Sequence, residues 1–521
     1  MSNRPLPDLS RRKFLQYTSL GVAVAALAAC SSDASTTANG ATGAPRKGGT
    51  LRVGSTGGGT TDTLDPQAWA TLPDQLRVQQ LFDPLVWQGA DGKPQLVLAK
   101  EITPNADGTE WTITIPSGVT THTGKPFTSE DVLYSFQRII TNKAPGAFLL
   151  GPIDLKGSSA PDKTTTKLKF SQPYGVLLDL LAFPYFYMVP KGFDPKKPDG
   201  TGPFKYESFT AGVESTFAKN PNYWQSGLPY LDKIVVTNID DESSQVSGLQ
   251  AGQIDVINAL SASSVNVLKS AGFTVKVNKS GNWVPFTQHC GLEPFKDPRV
   301  REAFRLIPDR KQMLDQVFGG YGTIGNDVFS PYDAGFPTDL PQRQQDIDRA
   351  KSLLKAAGHA DLKVTLTTAP AAAGEVSMAQ VFATQAKAAG VTVEIAQKEV
   401  GAYYTDSYLK VPFAMDYGTN QPFLANASQL MIGTTSYYNA NHFDDPEYTS
   451  LYQQAVATVD EAKRKALIGR MAHIDHDRGA YIVPVFSPAI EAYSNKVGGV
   501  TTSVTGVSPN NADFKHMWLA G

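Results

Sequence analysis

Two cysteines, Cys30 and Cys290, in 521 residues cannot build a disulfide framework. The sequence has no Cys-x-x-Cys and no His-Glu-x-x-His, so the common dithiol and zinc signatures are absent. It also has no Gly-x-Ser-x-Gly elbow. The loop Gly57-Gly58-Gly59-Thr60-Thr61 lacks the Gly-Lys-Ser/Thr ending that would cradle phosphate. Neither sign of charge is in large excess, with 47 Lys and Arg against 49 Asp and Glu, and no basic stripe appears. A nucleic-acid partner is therefore not expected. The apolar run Leu20–Ala29 is too short to cross a hydrocarbon core of about 30 Å as a helix. Glycoside hydrolysis needs two facing carboxylates, and no such pair stands out. The reading is of a non-enzyme with no catalytic residue, cofactor or resident metal. The rivals kept open are a secreted lipid-anchored hydrolase and a structural surface lipoprotein.

What is present begins at the amino terminus. Ser10-Arg11-Arg12-Lys13-Phe14-Leu15 precedes an alanine-rich stretch ending in Leu27-Ala28-Ala29-Cys30. A basic patch followed by a short apolar segment fits an export signal, which carries no fold information. The paired arginines resemble a twin-arginine signal, and Leu-Ala-Ala-Cys resembles a bacterial lipobox, in which Cys30 is acylated. Two acyl chains, at about 0.8 kcal/mol per buried CH₂, anchor stably. Residues 31–47 are mostly small and polar and cannot offset their ordering entropy, so they read as a flexible tether. The protein is expected at the extracytoplasmic face of a bacterial membrane.

The remaining chain is too long for one core and has ample apolar residues, 41% of the composition. Leu51 and Val53 alternate with polar neighbours as a first strand does, and Trp111–Ile115 repeats the pattern. Thr128 with Asp131 three residues on gives a helix-start signal. From Asp297 the pattern becomes αβαβα: helices at 299–306, 310–318, 346–357, 375–389 and 402–409, with strands near 362–367 and 391–396. Pro308 should stop the first of these helices. The apolar segments Trp283–Phe286 and Tyr481–Phe486 both contain Val-Pro and flank this region. They read as two connections between lobes, a hinge.

Several aromatic residues lie in irregular polar surroundings: Trp69, Trp283, Phe286, Tyr417, Tyr437 and Tyr438. Tyr and Trp give rigid contact area with a polar handle, which suits enclosure of a solute. Asn439 joins this set of ligand-binding candidates. Asp416 ends an apolar stretch, where a carboxylate can hold a ligand ammonium or simply cap a turn. His473 and His476 share a helix, and Gln288-His289-Cys290 offers a second soft cluster. Solvent-facing helix positions and opposite strand faces account for them as well.

Seven segments then carry a family resemblance: Gly48–Val53, Leu64-Asp65-Pro66, Phe127–Val132, Gly200–Tyr206, Asn220–Trp224, Gly248–Asp255 and Phe295–Ala303. In this order, behind a lipoprotein-type signal, the chain resembles the extracytoplasmic solute-binding proteins of ATP-driven importers, in the dipeptide and oligopeptide class. The resemblance implies an α/β, two-lobed periplasmic-binding-protein fold with an extra subdomain in a discontinuous large lobe. The implied divisions are a signal at 1–30, a tether at 31–47, the large lobe at 48–285 with its extra subdomain at 86–200, a second lobe at 286–482, and a return segment at 483–521. It implies a monomer that captures a small-molecule or peptide-like solute and delivers it to a pair of permease subunits, alike or different. In peptide-binding members an aspartate within Trp-x-x-Asp holds the free amine. Asp416 falls there, with Phe413 in the tryptophan position and Thr419-Asn420 where Asp-Pro is common. Peptide-like amines, other organic solutes and metal chelates all stay open, and His289 and His442 are candidate groups for a chelate.

Overall fold

Gly48 and Gly49 both adopt left-handed backbone angles just before the first strand, Thr50–Ser55. Leu51 and Val53 then turn inward and are buried. The computed structural model describes residues 41, 43–433 and 436–521. The signal, the Cys30 lipidation site and most of the tether lie outside the described residues. Thr50–Ser55 runs parallel to Lys233–Asn238 on one side and to Val256–Ile257 on the other. Further out lie Glu214–Lys219 and Phe204–Thr210 on one flank, Val485–Tyr493 and Thr274–Trp283 on the other. The chain end therefore returns to the first sheet through Val485–Tyr493. The short strand Thr323–Ile324 also pairs with that return strand.

A second sheet of four strands, in the order Glu101–Pro104, Glu110–Thr114, Thr165–Phe170 and Ile153–Ser159, carries the helix Ser129–Thr141 on its face. Val132, Phe136 and Ile139 have no exposed surface. At the helix start the Asp131 carboxylate accepts the Thr128 N–H at 2.7 Å, as the sequence spacing implies.

The third sheet has the order Thr392–Gln397, Lys363–Thr368, Phe413–Met415, Phe286–Gln288 and Tyr481–Ile482. Helices Pro298–Leu306, Arg310–Phe318, Ile347–Ala356 and Glu375–Ala386 share one core with it. Asp297 caps the first of these, accepting the Arg299 N–H at 2.8 Å, with Pro298 at the first helical position. Arg310–Phe318 starts at Asp309 and stops at Gly319, whose φ of 60° favours glycine. The expected helix at 402–409 is helical from Val400 to Ser407 but is not a regular α-helix. After Val400–Ala402 the backbone widens into a π turn, Tyr403–Ser407, and the Tyr408 N–H reaches back to the Tyr403 carbonyl at 2.9 Å.

The two Val-Pro segments do connect different sheets. Trp283 pairs with Phe486 in the first sheet, and Phe286 pairs with Ile482 in the third. Pro285 and Pro484 stand between, where neither can donate to a ladder. A third segment lies beside them: the Gly325 N–H donates to the Pro484 carbonyl at 2.8 Å. Asp327 fastens the same place, accepting the Val483 N–H at 3.0 Å while Arg310 and Arg343 hold its carboxylate at 2.8 Å.

One large buried cluster joins residues of 85–188 with Trp283, Phe329, Phe423, Leu424 and residues of the helix pair Pro446–Ala457 and Glu461–Arg478. The part of the chain read as one second lobe is thus shared between two cores. The Gly175 N–H donates to the Val456 carbonyl at 2.7 Å, and Asp179 pairs with Arg464 at 3.1 Å. A side chain at Gly175 would drive its Cβ to 2.2 Å from the Thr458 carbonyl oxygen, so this approach needs glycine. Among the described residues no helix is long and apolar enough to cross a membrane.

Candidate functional site

Strand Phe413–Met415 runs antiparallel to Phe286–Gln288, and its next residue, Asp416, donates its N–H to the Pro285 carbonyl at 3.1 Å. Asp416 therefore sits at a sheet end, beside the first Val-Pro connection. Gly418 then bridges to Trp283, the two exchanging backbone hydrogen bonds at 2.9 and 3.0 Å. A Cβ on Gly418 would fall 2.2 Å from the Trp283 indole nitrogen, so only glycine lets the loop pass beneath that ring.

The Asp416 carboxylate is buried, 7% exposed. The Tyr408 hydroxyl donates to Oδ2 at 3.0 Å, and the Tyr417 N–H donates to Oδ1 at 2.8 Å. No ion pair reaches it among the described residues. Burial pushes its pKa up to about 7, with the Glu375 charge adding to the rise, and the two hydrogen bonds offset only part of it. The groups around it are phenols. Tyr403, Tyr404 and Tyr408 meet at ring-centroid distances of 5.1, 5.3 and 6.0 Å, gathered by the π turn. Tyr403 donates to the Met415 carbonyl. Burial pushes the Tyr417 hydroxyl up, with the Asp416 charge adding to the rise and Tyr404 offsetting part of it. Burial and the Asp416 charge raise the pKa of the Tyr408 hydroxyl far above its ordinary value, so it stays a donor. The arrangement can stabilise a cation at a carboxylate and surround that cation's remaining surface with aromatic rings.

The residues singled out in the sequence fall into distinct groups. Asp416 and Tyr417 form the centre, with Tyr417 half exposed. Trp283 lies next to them, 2% exposed, edge-on to Tyr481 at 5.2 Å, and its indole N–H has no partner. Tyr438 and Tyr417 both act electrostatically on Tyr185, whose hydroxyl burial pushes up to about 12. Trp69 packs on Tyr185 at 4.7 Å and donates its indole N–H to the Pro184 carbonyl at 2.8 Å. Tyr185 also packs on Phe183 at 5.0 Å. Tyr437 meets Tyr438 edge-on at 4.6 Å and is 78% exposed. Phe286 is different. It is fully buried in the third-sheet core against Phe382 and Phe413, where it packs the lobe and no solute reaches it. Asn439 staples its own loop, donating to the Gly433 and Phe443 carbonyls and accepting the Phe443 N–H. Sequence reasoning missed Tyr403, Tyr404 and Tyr408. Three tyrosines within six residues, shortly before Asp416, were the available signal, hidden by helical spacing.

Of the soft groups, His289 and His442 are brought together, but no third ligand joins them among the described residues. His473 lies near Asp339 at 3.4 Å, whereas His476 is buried and contacts Asp477 and the Pro341 carbonyl. His289 stacks on His442 at 3.8 Å, and Cys290 is a free thiol pointing to the Gln288 carbonyl. No group of three or more potential metal ligands occurs among the described residues. Next to the Asp416 loop, Asn420 and Gln421 line a recess of about 80 Å³ together with Lys93, Asp179, Tyr332 and Arg464.

Similar proteins share this framework. The nickel-binding periplasmic protein of Escherichia coli (strain K12) is 24% identical over 80% of this chain and 86% of its own. The oligopeptide-binding protein AppA of Bacillus subtilis (strain 168) is 27% identical over 68% of each chain. The crystal structure of the ABC transporter substrate-binding protein CtaP from Listeria monocytogenes superposes with a TM-score of 0.81 at 22% identity, covering 91% of this chain and 100% of that one. This likeness shows the periplasmic-binding-protein fold, and the two curated relatives are both binding proteins. Residues 93–442 match the description "bacterial extracellular solute-binding proteins, family 5 middle", and with two thirds of its length so matched the chain belongs to that family.

Proposed function

We propose that this protein captures a small organic solute bearing a positive charge, holds it at Asp416 between two closing lobes, and delivers it unchanged to an ABC import permease. One observation carries the charge assignment: a buried carboxylate with two neutral hydrogen-bond donors and no cationic partner among the described residues. Burying an anion without a counter-charge is costly, and a ligand ammonium removes that cost. Membership of the family supports capture and delivery. The relatives named above bind nickel in one case and oligopeptides in the other, so kinship does not choose the solute, and Asp416 supplies the class. The adjacent Pro285 and Pro484 connections support closure about a hinge.

The site of action is the outer face of a bacterial cell membrane, with the chain exported by the twin-arginine route and tethered through acylated Cys30. The lipobox and arginine pair support this part of the reading. The direct test is mass spectrometry of the small molecule released when protein purified from its source is gently denatured. The expected finding is an intact organic cation. Recovery of a neutral or anionic solute, or of a hydrolysed product after prolonged incubation, overturns the reading. For the anchor, Cys30→Ala should move the protein from the membrane fraction to the soluble fraction; unchanged fractionation removes the lipid tether.

A further inference from the structure

The tyrosines around Asp416 go further than a carboxylate alone. A primary ammonium has three N–H donors, each needing an acceptor. Each Asp416 carboxylate oxygen takes one hydrogen bond, from Tyr408 and from the Tyr417 backbone, and keeps one lone pair, so the carboxylate can accept two of the three. The Tyr403 hydroxyl donates to the Met415 carbonyl, and the third N–H is left to phenol oxygens and ring faces. Aromatic surface, in contrast, is abundant. Tyr404 and Tyr408 stand edge to face at 5.3 Å. Tyr404 and Tyr417 keep 37% and 49% of their surface exposed, while Asp416 behind them is buried. These two rings therefore form the solvent side of the site. The π turn that gathers them departs from the regular helix, and such departures recur at functional sites.

We propose that Tyr404, Tyr408 and Tyr417 form an aromatic collar in front of Asp416 that selects an N-alkylated ammonium over a primary one. This rests on the reading of Asp416 as a cation anchor and adds the chemistry of the cation. An N-methyl group carries part of the positive charge without needing an acceptor, and it meets the ring faces by cation–π attraction. The hydroxyls then serve to orient the rings, and the rings select.

The experiment is calorimetric titration of the full mature protein in detergent with three probes: choline, n-butylammonium, and 3,3-dimethylbutan-1-ol, the neutral isostere of choline. Choline should bind at least about tenfold more tightly than the neutral isostere and more tightly than butylammonium. Tyr404→Ala and Tyr417→Ala should each weaken choline about fivefold or more, whereas Tyr404→Phe and Tyr417→Phe should stay within about twofold, because the ring is kept. Both positions are partly exposed, so folding should survive, and thermal melts of each variant verify it. If butylammonium binds as well as choline, or ring removal changes nothing while Asp416→Asn still abolishes binding, the collar is wrong and the anchor stands. If the neutral isostere equals choline, or Asp416→Asn leaves choline binding intact, the anchor itself fails and the collar with it.

Discussion

Asp327 and Asp416 are both buried aspartates on the flanks of the same inter-sheet connections, yet they are opposites. Asp327 is enclosed by Arg310 and Arg343 and also accepts the Val483 N–H. Burial pushes its pKa upward, but the charges of Arg310, Arg343 and Arg305 outweigh burial and hold it below the ordinary carboxylate range. Asp416 meets only phenols and one backbone N–H, and burial wins, up to about 7. A carboxylate supplied with its own cations is finished within the chain and fastens structure. One left without a cation is held as the neutral acid, or by a cation that arrives from outside. The contrast separates a structural aspartate from the one proposed here to bind, without reference to any relative.

Breaking the structural member should have the largest effect. Arg310→Ala leaves Asp327 short of a partner, and removing one side of a buried pair costs about 3–5 kcal/mol; urea unfolding measures it. Asp416→Asn should move stability the other way. It keeps the shape and removes an uncompensated buried charge, raising stability by about 1–3 kcal/mol at pH 8 in the absence of solute. The two aspartates should also tilt stability oppositely with pH. The folded pKa of Asp416 is raised, so its contribution is fully present below about pH 4, the unfolded value, and is lost as pH rises through about 7. Asp327 has a lowered pKa, so its contribution is present above the unfolded value and is lost as pH falls through its folded pKa. Unfolding curves from pH 3 to 9 should show the wild type and Asp416→Asn running together below about pH 4, separating as pH rises from there to about 7, and staying a constant distance apart above it. The same protonation should weaken a cationic solute about tenfold per pH unit below that value, with proton release visible as a buffer-dependent heat. The smallest effect belongs to an exposed pair. Arg349 and Glu302 lie on the surface, and Arg349→Ala should cost less than about 1 kcal/mol.

Much of the architecture was legible in residue patterns. Alternation at Leu51 and Val53, the proline stop at Pro308 and the helix start at Thr128 with Asp131 are local rules, and the chain obeys them. The two Val-Pro connections were legible because proline's missing N–H acts in any context. What was not legible depended on partners distant in sequence. Nothing around 403–408 announces a π turn, since its spacing is helical until the rings pack on one another. Phe286 read as a solute-lining aromatic because its neighbours Phe382 and Phe413 lie roughly a hundred residues or more further along the chain. Asp416 itself was readable as a candidate, but its lack of a counter-charge was not, because that depends on which lysines and arginines the fold sends elsewhere. Sharing of one buried cluster between residues 85–188 and the helices of 446–478 was equally invisible, since either half alone reads as an ordinary amphipathic surface.

Pro285 and Pro484 have one more consequence. A ladder of hydrogen bonds tends to propagate: two strands already paired at Trp283–Phe486 and again at Phe286–Ile482 would otherwise zip shut across the few residues between. Each ring deletes a rung where the zip would close, so the two sheets do not merge there into one ladder. The carbonyls of Pro285 and Pro484 turn instead to the Asp416 and Gly325 N–H groups. A tryptophan at this edge, Trp283, is well placed to report optically on any change of angle between the sheets.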